Sequence, residues 1–338
     1  MQSQVRLVAS ALGSRGVAVS VAVGGDDGEG ALNGVETVSL PRFSRRSPVR
    51  FISALRRTVA EGRFDVVHGH GLRLAPALAV SGARRRYVTC HGLDPTRARA
   101  TLMATKLSRV PVVACGEGPR AVMAAHGVNS IVINNALASL EASPSPGDPR
   151  SELGLASDVP LVVLPARFSH QKGHDLLVAA LARVRAAMAD ESPEVVCVGD
   201  GPLLEATRRA AAVAGDRPLL HCVPYREGVA GWLAAADFFV LPSRWEGQPQ
   251  VVLEALLNNL PVLTSTPTGV EDLVIDGRNG RRVLGPGELA REIETWSRRV
   301  RAGHRDELPH DATLNAEILA AHRLEVVLDQ YLALYATG

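Results

Sequence analysis

The sequence has few aromatic residues and no long, uninterrupted apolar run. Aromatic side chains make up 4% of the 338 residues, although 46% of the residues are hydrophobic. This composition, rich in Ala, Val, Leu and Gly, favours helices packed on a parallel sheet over an aromatic-lined barrel. No apolar run is long enough to cross a bilayer, and the start, Met-Gln-Ser-Gln, lacks the pattern of a signal peptide. The length favours two α/β domains.

Cysteine is also scarce, and its spacing excludes the common cysteine-based sites. The four cysteines are far apart, with no CxxC or Cys/His ligand spacing, and each lies in or beside an apolar run. This pattern predicts buried, reduced thiols of a cytoplasmic protein. Any contact with a membrane is expected to be peripheral, on the inner face of the cell membrane. The cysteines are Cys90, Cys115, Cys197 and Cys222.

Lysine is almost absent, and charge is distributed unevenly along the chain. There are 2 lysines, Lys106 and Lys172, against 35 arginines. Residues 1–150 carry 19 Lys and Arg against 10 Asp and Glu, a charge of +9, whereas the remainder carries 18 against 25, a charge of −7. The basic first half predicts an anionic partner, such as a phosphorylated substrate, an anionic lipid or a nucleic acid.

Strand-like and helix-like segments alternate along most of the chain. A helix ending near Gly16 precedes the apolar segments VAVSVAV, FDVVHGH, RYVTCHG, PVVACG and SIVINNA, and a second series comprises VPLVVLPA, EVVCVGD, LLHCVPY, DFFVLPS and LPVLTS. Alternation of this kind predicts two doubly wound, Rossmann-like domains with parallel sheets, facing a central cleft. We expect domains at residues 1–140 and 151–310, a linker at 141–150, and a last helix within 311–338 that packs back toward the first domain.

The most informative pattern in the second half combines two acidic and two basic residues. The segment SRWEGQPQVVLEALL places Glu246 in a turn after a strand and Glu254 about one turn into the next helix. Carboxylates there can accept hydrogen bonds from sugar and ribose hydroxyls. Arg167 and Lys172 flank the loop after the first strand of this domain and suit a diphosphate leaving group. Alone they would be typical solvated cations, but with the glutamate pair they indicate a phosphate site.

Together these residues resemble the motifs of the family-four retaining glycosyltransferases, of the glycosyl transferases group 1 type and the GT-B fold. The resemblance implies transfer of a hexose from a UDP- or GDP-sugar to a hydroxyl of a glycan, lipid or small molecule, without a metal or other cofactor. It implies that Arg167 and Lys172 bind the donor diphosphate, that Glu246 contacts the transferred sugar and that Glu254 binds the ribose. It also assigns donor contacts to Gly247, Gln248 and Val251.

Three further assignments depend on looser matches. The resemblance places His91, in VTCHGLDP, near the donor sugar, so that His91, Arg167, Lys172 and Glu246 form the predicted catalytic set. Gly199 and Gly201, in VGDGP, either let the backbone approach a ligand or simply form a tight strand-to-helix turn. His68 and His70 have the spacing of a metal pair, but no nearby carboxylate or cysteine completes a site, so no metal is expected.

A basic, apolar stretch in the first half predicts a surface for the acceptor or for a membrane. From Pro48 onward it has the pattern of an amphipathic helix, and Arg45, Arg46 and Arg50 are candidates for contact with a phosphorylated acceptor or anionic lipid. An ordinary solvated helix face has the same pattern. No nucleic-acid-binding module surrounds the stretch, so nucleic acid is not an expected partner.

One departure from the family pattern leaves alternatives open. Family members begin with a strand and a Gly-Gly loop, whereas this sequence starts at the helix that follows. Either the start of the sequence is set too late, or this protein has lost the first strand of its N-terminal domain. The missing loop favours a non-catalytic relative that binds nucleotide-sugars or a partner protein as one rival interpretation. A nucleotide-sugar epimerase is another, because such enzymes use the same two-domain scaffold.

Overall fold

The structure, a computed structural model, describes residues 2–24, 35–43, 48–139, 149–212, 217–225, 229–265 and 269–337. The chain forms two compact units: Met1–Ala138 together with Ala321–Gly338, here the first unit, and Ser139–Ala320, here the second unit. Every strand pair within them is parallel. The predicted α/β class with two domains built on parallel sheets is therefore confirmed.

Helices and strands alternate in both units. Before the predicted linker the elements are α1 (Gln2–Ser14), β1 (Ser20–Gly24), β2 (Glu36–Leu40), α2 (Pro48–Gly62), β3 (Val66–His70), α3 (Ala75–Ala79), β4 (Arg85–Cys90), α4 (Arg99–Ser108), β5 (Val112–Ala114), α5 (Glu117–Ala124) and β6 (Ser130–Val132). After it they are α6 (Pro149–Glu152), β7 (Leu161–Pro165), α7 (His174–Met188), β8 (Glu194–Val198), α8 (Leu204–Ala212), β9 (His221–Val223), α9 (Val229–Ala235), β10 (Phe238–Leu241), α10 (Gln250–Leu257), β11 (Val262–Ser265), β12 (Gly280–Val283), α11 (Gly285–Arg301), α12 (Ala312–Ala320) and α13 (Leu324–Thr337).

The first unit contains two sheets rather than the single doubly wound sheet that the alternation predicts. β1 pairs with β2, and β3, β4, β5 and β6 form a separate sheet in that order. Among the described residues no strand joins β1 to β3. The two sheets nevertheless share an apolar core, in which Leu40 of β2 and Phe51 of α2 pack in one cluster with Val88 of β4.

The C-terminal segment is also not one helix. The chain turns at residues 321–323, and only α13 belongs to the first unit, where Val327 and Tyr331 pack with Val113 and Ile133. In contrast, α12 belongs to the second unit, where buried Asn315 hydrogen-bonds to two side-chain amides. Its Oδ1 accepts from buried Asn279 Nδ2 and its Nδ2 donates to Asn259 Oδ1, each at 3.1 Å. The second unit therefore extends beyond residue 310 to Ala320. Of the predicted linker, residues 141–148 lie outside the described residues, and residues 149 and 150 begin α6.

The second unit is built on one six-stranded sheet with the order β12-β11-β10-β7-β8-β9. The five predicted strands of this half are present, whereas β12 was not predicted. The residues of β7, β8 and β10 are all buried, as expected for central strands covered by helices on both faces. Cys90, Cys115 and Cys197 are buried and form no disulfide, but Cys222 is only half-buried because its strand, β9, lies at the sheet edge.

Candidate functional site

The strand order of the second unit brings the predicted donor-binding residues to one edge of its sheet. β10, β7 and β8 are neighbours and parallel. Arg167 follows β7 by two residues, Gly199 directly follows β8, and Glu246 lies in the loop after β10. Because parallel strands end at the same edge, these residues come from three adjacent strand ends, where α/β folds commonly bind ligands.

An ion pair joins the two loops that carry the predicted chemistry. Lys172 Nζ lies 2.6 Å from Glu246 Oε1, with 18% of the lysine side chain and 4% of the glutamate side chain exposed. Ser243 Oγ donates to the same oxygen at 2.6 Å. Among the described residues, Oε2 has only a long contact of 3.4 Å with Gln171 Nε2. One carboxylate oxygen is therefore occupied, and the other keeps the capacity to accept a hydroxyl donor.

Ser243 and Gln171 were not predicted as site residues. Ser243 is almost fully buried and lies three residues before Glu246 in the same motif. Gln171 precedes Lys172 and donates to the backbone oxygen of Trp245 at 2.9 Å. Proximity in sequence to the predicted residues is the only signal that could have identified them, and the partners of Gln171, Trp245 and Glu246, lie after a different strand.

Glu254 occupies the fifth position of α10, as predicted, and differs electrostatically from Glu246. Burial raises the pKa of its carboxyl to about 7, and no cation among the described residues offsets that effect. The carboxyl is thus close to half-protonated at neutral pH. Such a group can accept hydrogen bonds from ribose hydroxyls, and those bonds would favour its charged form.

The remaining predicted donor-site residues lie on the same loops. The Arg167 side chain is exposed and has no hydrogen bond or ion pair with the rest of the described chain, so its guanidinium is available to a ligand. Gly247 and Gln248 are buried between Glu246 and α10. Val251 is half-buried in the first turn of α10.

The two predicted glycines are needed where the loops after β7 and β8 pack together. Ala166 N donates to Val198 O and Phe168 N donates to Asp200 O, each at 3.0 Å. A Cβ atom on Gly199 would lie 2.3 Å from Ala166 O, and one on Gly201 would lie 2.4 Å from Phe168 O. The close approach that requires glycine is therefore an approach of the chain to itself, next to Arg167.

In the first unit, His91 contacts a second histidine that had been considered only as a metal ligand. His91 follows β4, and its Nε2 lies 2.9 Å from Nδ1 of His70 at the end of β3. Burial lowers the pKa of His91 to about 3 and that of His70 to about 4, so both rings are neutral at neutral pH.

His68 has a different role from its neighbour. Its Nδ1 lies 2.6 Å from the Tyr335 hydroxyl of α13, and its Nε2 lies 2.7 Å from Thr89 Oγ1 of β4. Both ring nitrogens are therefore used in hydrogen bonds within the first unit. Within the described ranges, no group of three His, Cys, Asp or Glu residues has an arrangement that could hold a metal ion.

Part of the predicted acceptor surface can be located. The amphipathic helix expected from Pro48 is present as α2, with Phe51, Leu55 and Val59 buried and Arg50 exposed. Arg45 and Arg46 lie outside the described residues. No helix in the described part of the chain is long and apolar enough to span a membrane.

Comparisons with known proteins agree with this organisation. The sequence profile of the domain described as Glycosyltransferase Family 4 matches residues 1–136, and that described as Glycosyl transferases group 1 matches residues 159–298. The structure of Anabaena Alr3699/HepE in complex with UDP and glucose superposes with a TM-score of 0.80 and 18% sequence identity, covering 99% of this chain and 95% of that chain. At this identity the likeness shows the fold.

Relatives of known description match over different lengths. The D-inositol 3-phosphate glycosyltransferase of Xylanimonas cellulosilytica is 34% identical over 146 residues, which is 42% of this chain and only 34% of that protein. The GDP-mannose-dependent alpha-(1-6)-phosphatidylinositol monomannoside mannosyltransferase of Mycolicibacterium smegmatis is 27% identical over 284 residues, 77% of this chain and 73% of that protein. On the fold of the GT-B glycosyltransferases, the chain thus carries a Glycosyltransferase Family 4 domain followed by a Glycosyl transferases group 1 domain.

Proposed function

We propose that this chain is a retaining glycosyltransferase that moves a hexose from a UDP- or GDP-sugar to a hydroxyl acceptor without a metal ion. The observation that carries the proposal is the Lys172–Glu246 pair at adjacent strand ends. The loop that carries Lys172 also carries Arg167, whose guanidinium has no partner among the described residues. These cations suit a diphosphate, and Oε2 of Glu246, which has only the long contact with Gln171, suits a sugar hydroxyl. The GDP-mannose dependence of one relative and the UDP bound by a structural neighbour support a nucleotide-sugar donor.

Each donor-site residue has a distinct proposed role. Arg167 and Lys172 neutralise the negative charge that grows on the diphosphate as the bond to the sugar breaks. Glu246 accepts a hydrogen bond from the transferred sugar, and Glu254 binds the ribose. Lys172 must therefore turn from Glu246 to the diphosphate, or contact both, when the donor binds.

The proposed reaction is a front-face displacement. The acceptor oxygen forms a bond to the anomeric carbon while the bond from that carbon to the phosphate oxygen breaks. The acceptor proton passes to the departing phosphate oxygen, and the nucleoside diphosphate leaves. His91, which the low pKa keeps neutral, would hold a sugar hydroxyl rather than supply a positive charge.

The acceptor is proposed to bind the basic first unit. Arg50 is exposed on α2, so it can contact a phosphorylated acceptor or the headgroups of an anionic membrane at the inner face of the cell. Such contact would be peripheral.

The decisive experiment is a calorimetric titration of UDP-glucose, UDP-N-acetylglucosamine and GDP-mannose in the absence of added metal. The chain offers a matched pair of variants, because it has only two lysines. Lys172→Ala should abolish micromolar binding of the preferred donor, whereas Lys106→Ala, on the exposed face of α4, should leave it unchanged. Equal binding by both variants, or no donor bound by the folded wild-type chain, would reject the donor site.

A further inference from the structure

Arg244 lies in the same motif as Glu246, yet no function described above uses it. Its guanidinium forms a two-pronged ion pair with Asp175, with Nη1 2.8 Å from Oδ1 and Nη2 2.6 Å from Oδ2. Nη1 also donates to His170 O at 2.8 Å, and the Arg244 backbone amide donates to Gln171 O at 2.7 Å. Arg244, in the loop after β10, thus makes four hydrogen bonds to residues 170–175, a short segment that follows β7.

That segment carries Lys172. It is a 3-10 turn, His170–Lys172, which ends at Gly173 in the left-handed conformation with φ of 67°. A Cβ atom on Gly173 would lie 2.0 Å from Pro242 O, so the turn is packed directly against the start of the loop that leads to Glu246. Arg244 adds contacts to the residues before Lys172, because it donates to the backbone oxygens of His170 and Gln171.

The need for such a contact follows from the chemistry of lysine. A lysine ammonium is a point charge on a flexible stem, so its position depends on the position of its backbone. The pair with Glu246 also holds Lys172, but a bound diphosphate would compete for the same ammonium. The contacts of Arg244 do not involve the ammonium and therefore persist when that pair opens. A planar, bidentate guanidinium–carboxylate pair is well suited to fix the turn.

We propose that Arg244, together with Asp175, is a positioning residue that holds the Lys172 turn against the Glu246 loop and so presents the Lys172 ammonium to the donor diphosphate. This inference rests on the proposed role of Lys172 in donor binding. An ordinary exposed ion pair would contribute little to stability and nothing to the position of Lys172. The two possibilities therefore differ in a property that can be measured.

The two lysines make a direct measurement possible, because a chain labelled with ¹³C at lysine Cε gives two side-chain NMR signals. Lys106→Arg assigns the remaining signal to Lys172, and Glu246→Gln gives the reference position of Lys172 without its carboxylate partner. In Arg244→Ala and in Asp175→Asn the Lys172 signal should move toward that reference. Arg278→Ala is the matched control, since Arg278 forms a similar exposed pair with Asp311 in the same unit and should not move it.

Nucleotide binding gives the functional measurement. The dissociation constant of UDP should rise on the order of tenfold in Arg244→Ala, because small displacements of a binding group have large effects. Arg244→Lys keeps the charge but loses the two-pronged geometry, so it should restore little. The exchange Asp175→Arg with Arg244→Asp should recover part of the loss.

The possible results separate this inference from the proposed function. If the Lys172 signal and the UDP affinity of folded Arg244→Ala both equal those of the wild type, the positioning role is wrong, whatever Lys172 binds. If the Lys172 signal moves but the wild-type chain binds no nucleotide, Arg244 still positions Lys172 and the proposed donor site fails instead. Because Asp175→Asn leaves both backbone contacts of Arg244 in place, it serves as the second test should Arg244→Ala not fold.

Discussion

Nδ1 of His70 lies 2.9 Å from Nε2 of His91, and a hydrogen bond between two ring nitrogens requires one donor and one acceptor. The tautomer of His91 is therefore tied to that of His70: if His70 donates, the proton of His91 is on Nδ1, and if His70 accepts, the proton is on Nε2. Whether Nδ1 of His91 could donate a hydrogen bond to a sugar hydroxyl or accept one from it thus depends on the tautomer of His70, a residue of another strand.

The histidine pair predicts a loss of stability in acid. The pKa of His70 falls from 6.5 to about 4 on folding, so the unfolded chain binds a proton at a higher pH than the folded chain. The free energy of unfolding therefore decreases as the pH falls from 6.5 to about 4. His70→Asn cannot titrate and should reduce this loss by on the order of 2 kcal/mol between about pH 7 and pH 4. Urea unfolding at several pH values measures it. The same change at exposed His126 should leave the profile intact, and equal profiles for all three proteins would contradict the prediction.

Glu254 predicts the opposite dependence on pH. Its pKa rises from 4.5 to about 7 on folding, so the folded chain binds more protons in that window, and stability present below pH 4.5 is lost as the pH rises through it. Glu254→Gln should therefore gain on the order of 2 kcal/mol relative to the wild type at about pH 8 and little at about pH 5. Exposed Glu317→Gln, analysed by the same urea titrations, should show no such difference. A constant difference between Glu254→Gln and the wild type at all pH values would disprove the assignment.

The hydrogen bond from the buried Ser243 hydroxyl to Glu246 predicts that this hydroxyl stabilises the fold. Ser243→Ala removes one of two close donors to Oε1 and should lower the free energy of unfolding by about 1–2 kcal/mol. Ser297→Ala is the matched control: Ser297 is also buried, but its hydroxyl has no hydrogen-bond partner among the described residues. Chemical denaturation should show a neutral or stabilising effect for that control, and equal losses for the two variants would argue against a special role of Ser243.

Asp237, at the opposite end of β10 from Glu246, predicts the largest effect on stability. Its fully buried carboxylate accepts from Leu161 N and from Arg150 Nη2, each at 2.7 Å, and also contacts Arg305. Asp237→Asn removes the buried negative charge that pairs with Arg150 and Arg305 and should cost about 3 kcal/mol or more. The pair of Asp158 with Arg301 is exposed and 4.0 Å long, so Asp158→Asn should change stability by less than about 0.5 kcal/mol. Thermal and urea unfolding of both variants would test the contrast.

Much of the fold follows from local pattern. Alternating apolar runs and helical segments predicted every strand of the six-stranded sheet except β12. The residues of β12, Gly280–Val283, include two arginines and lack an apolar run. β2 was missed for a similar reason, since only Leu40 of its five residues is buried. The last helix was predicted as continuous because no Gly or Pro interrupts residues 315–336. The chain nevertheless turns at residues 321–323, where hydrogen bonds link His322 to Asn135 and Leu137.

The sequence by itself determined the α/β class, the two parallel-sheet halves, and the residue types at the strand ends, because hydrophobic periodicity and motif spacing are properties of neighbouring residues. Only the tertiary structure decided that β7 lies beside β10, which brings Lys172 to Oε1 of Glu246 across 74 positions of sequence. It likewise decided that Arg244 holds the Lys172 turn and that His70 contacts His91. Such contacts depend on the order of strands in a sheet, and strand order is set by the packing of the whole unit rather than by any local pattern.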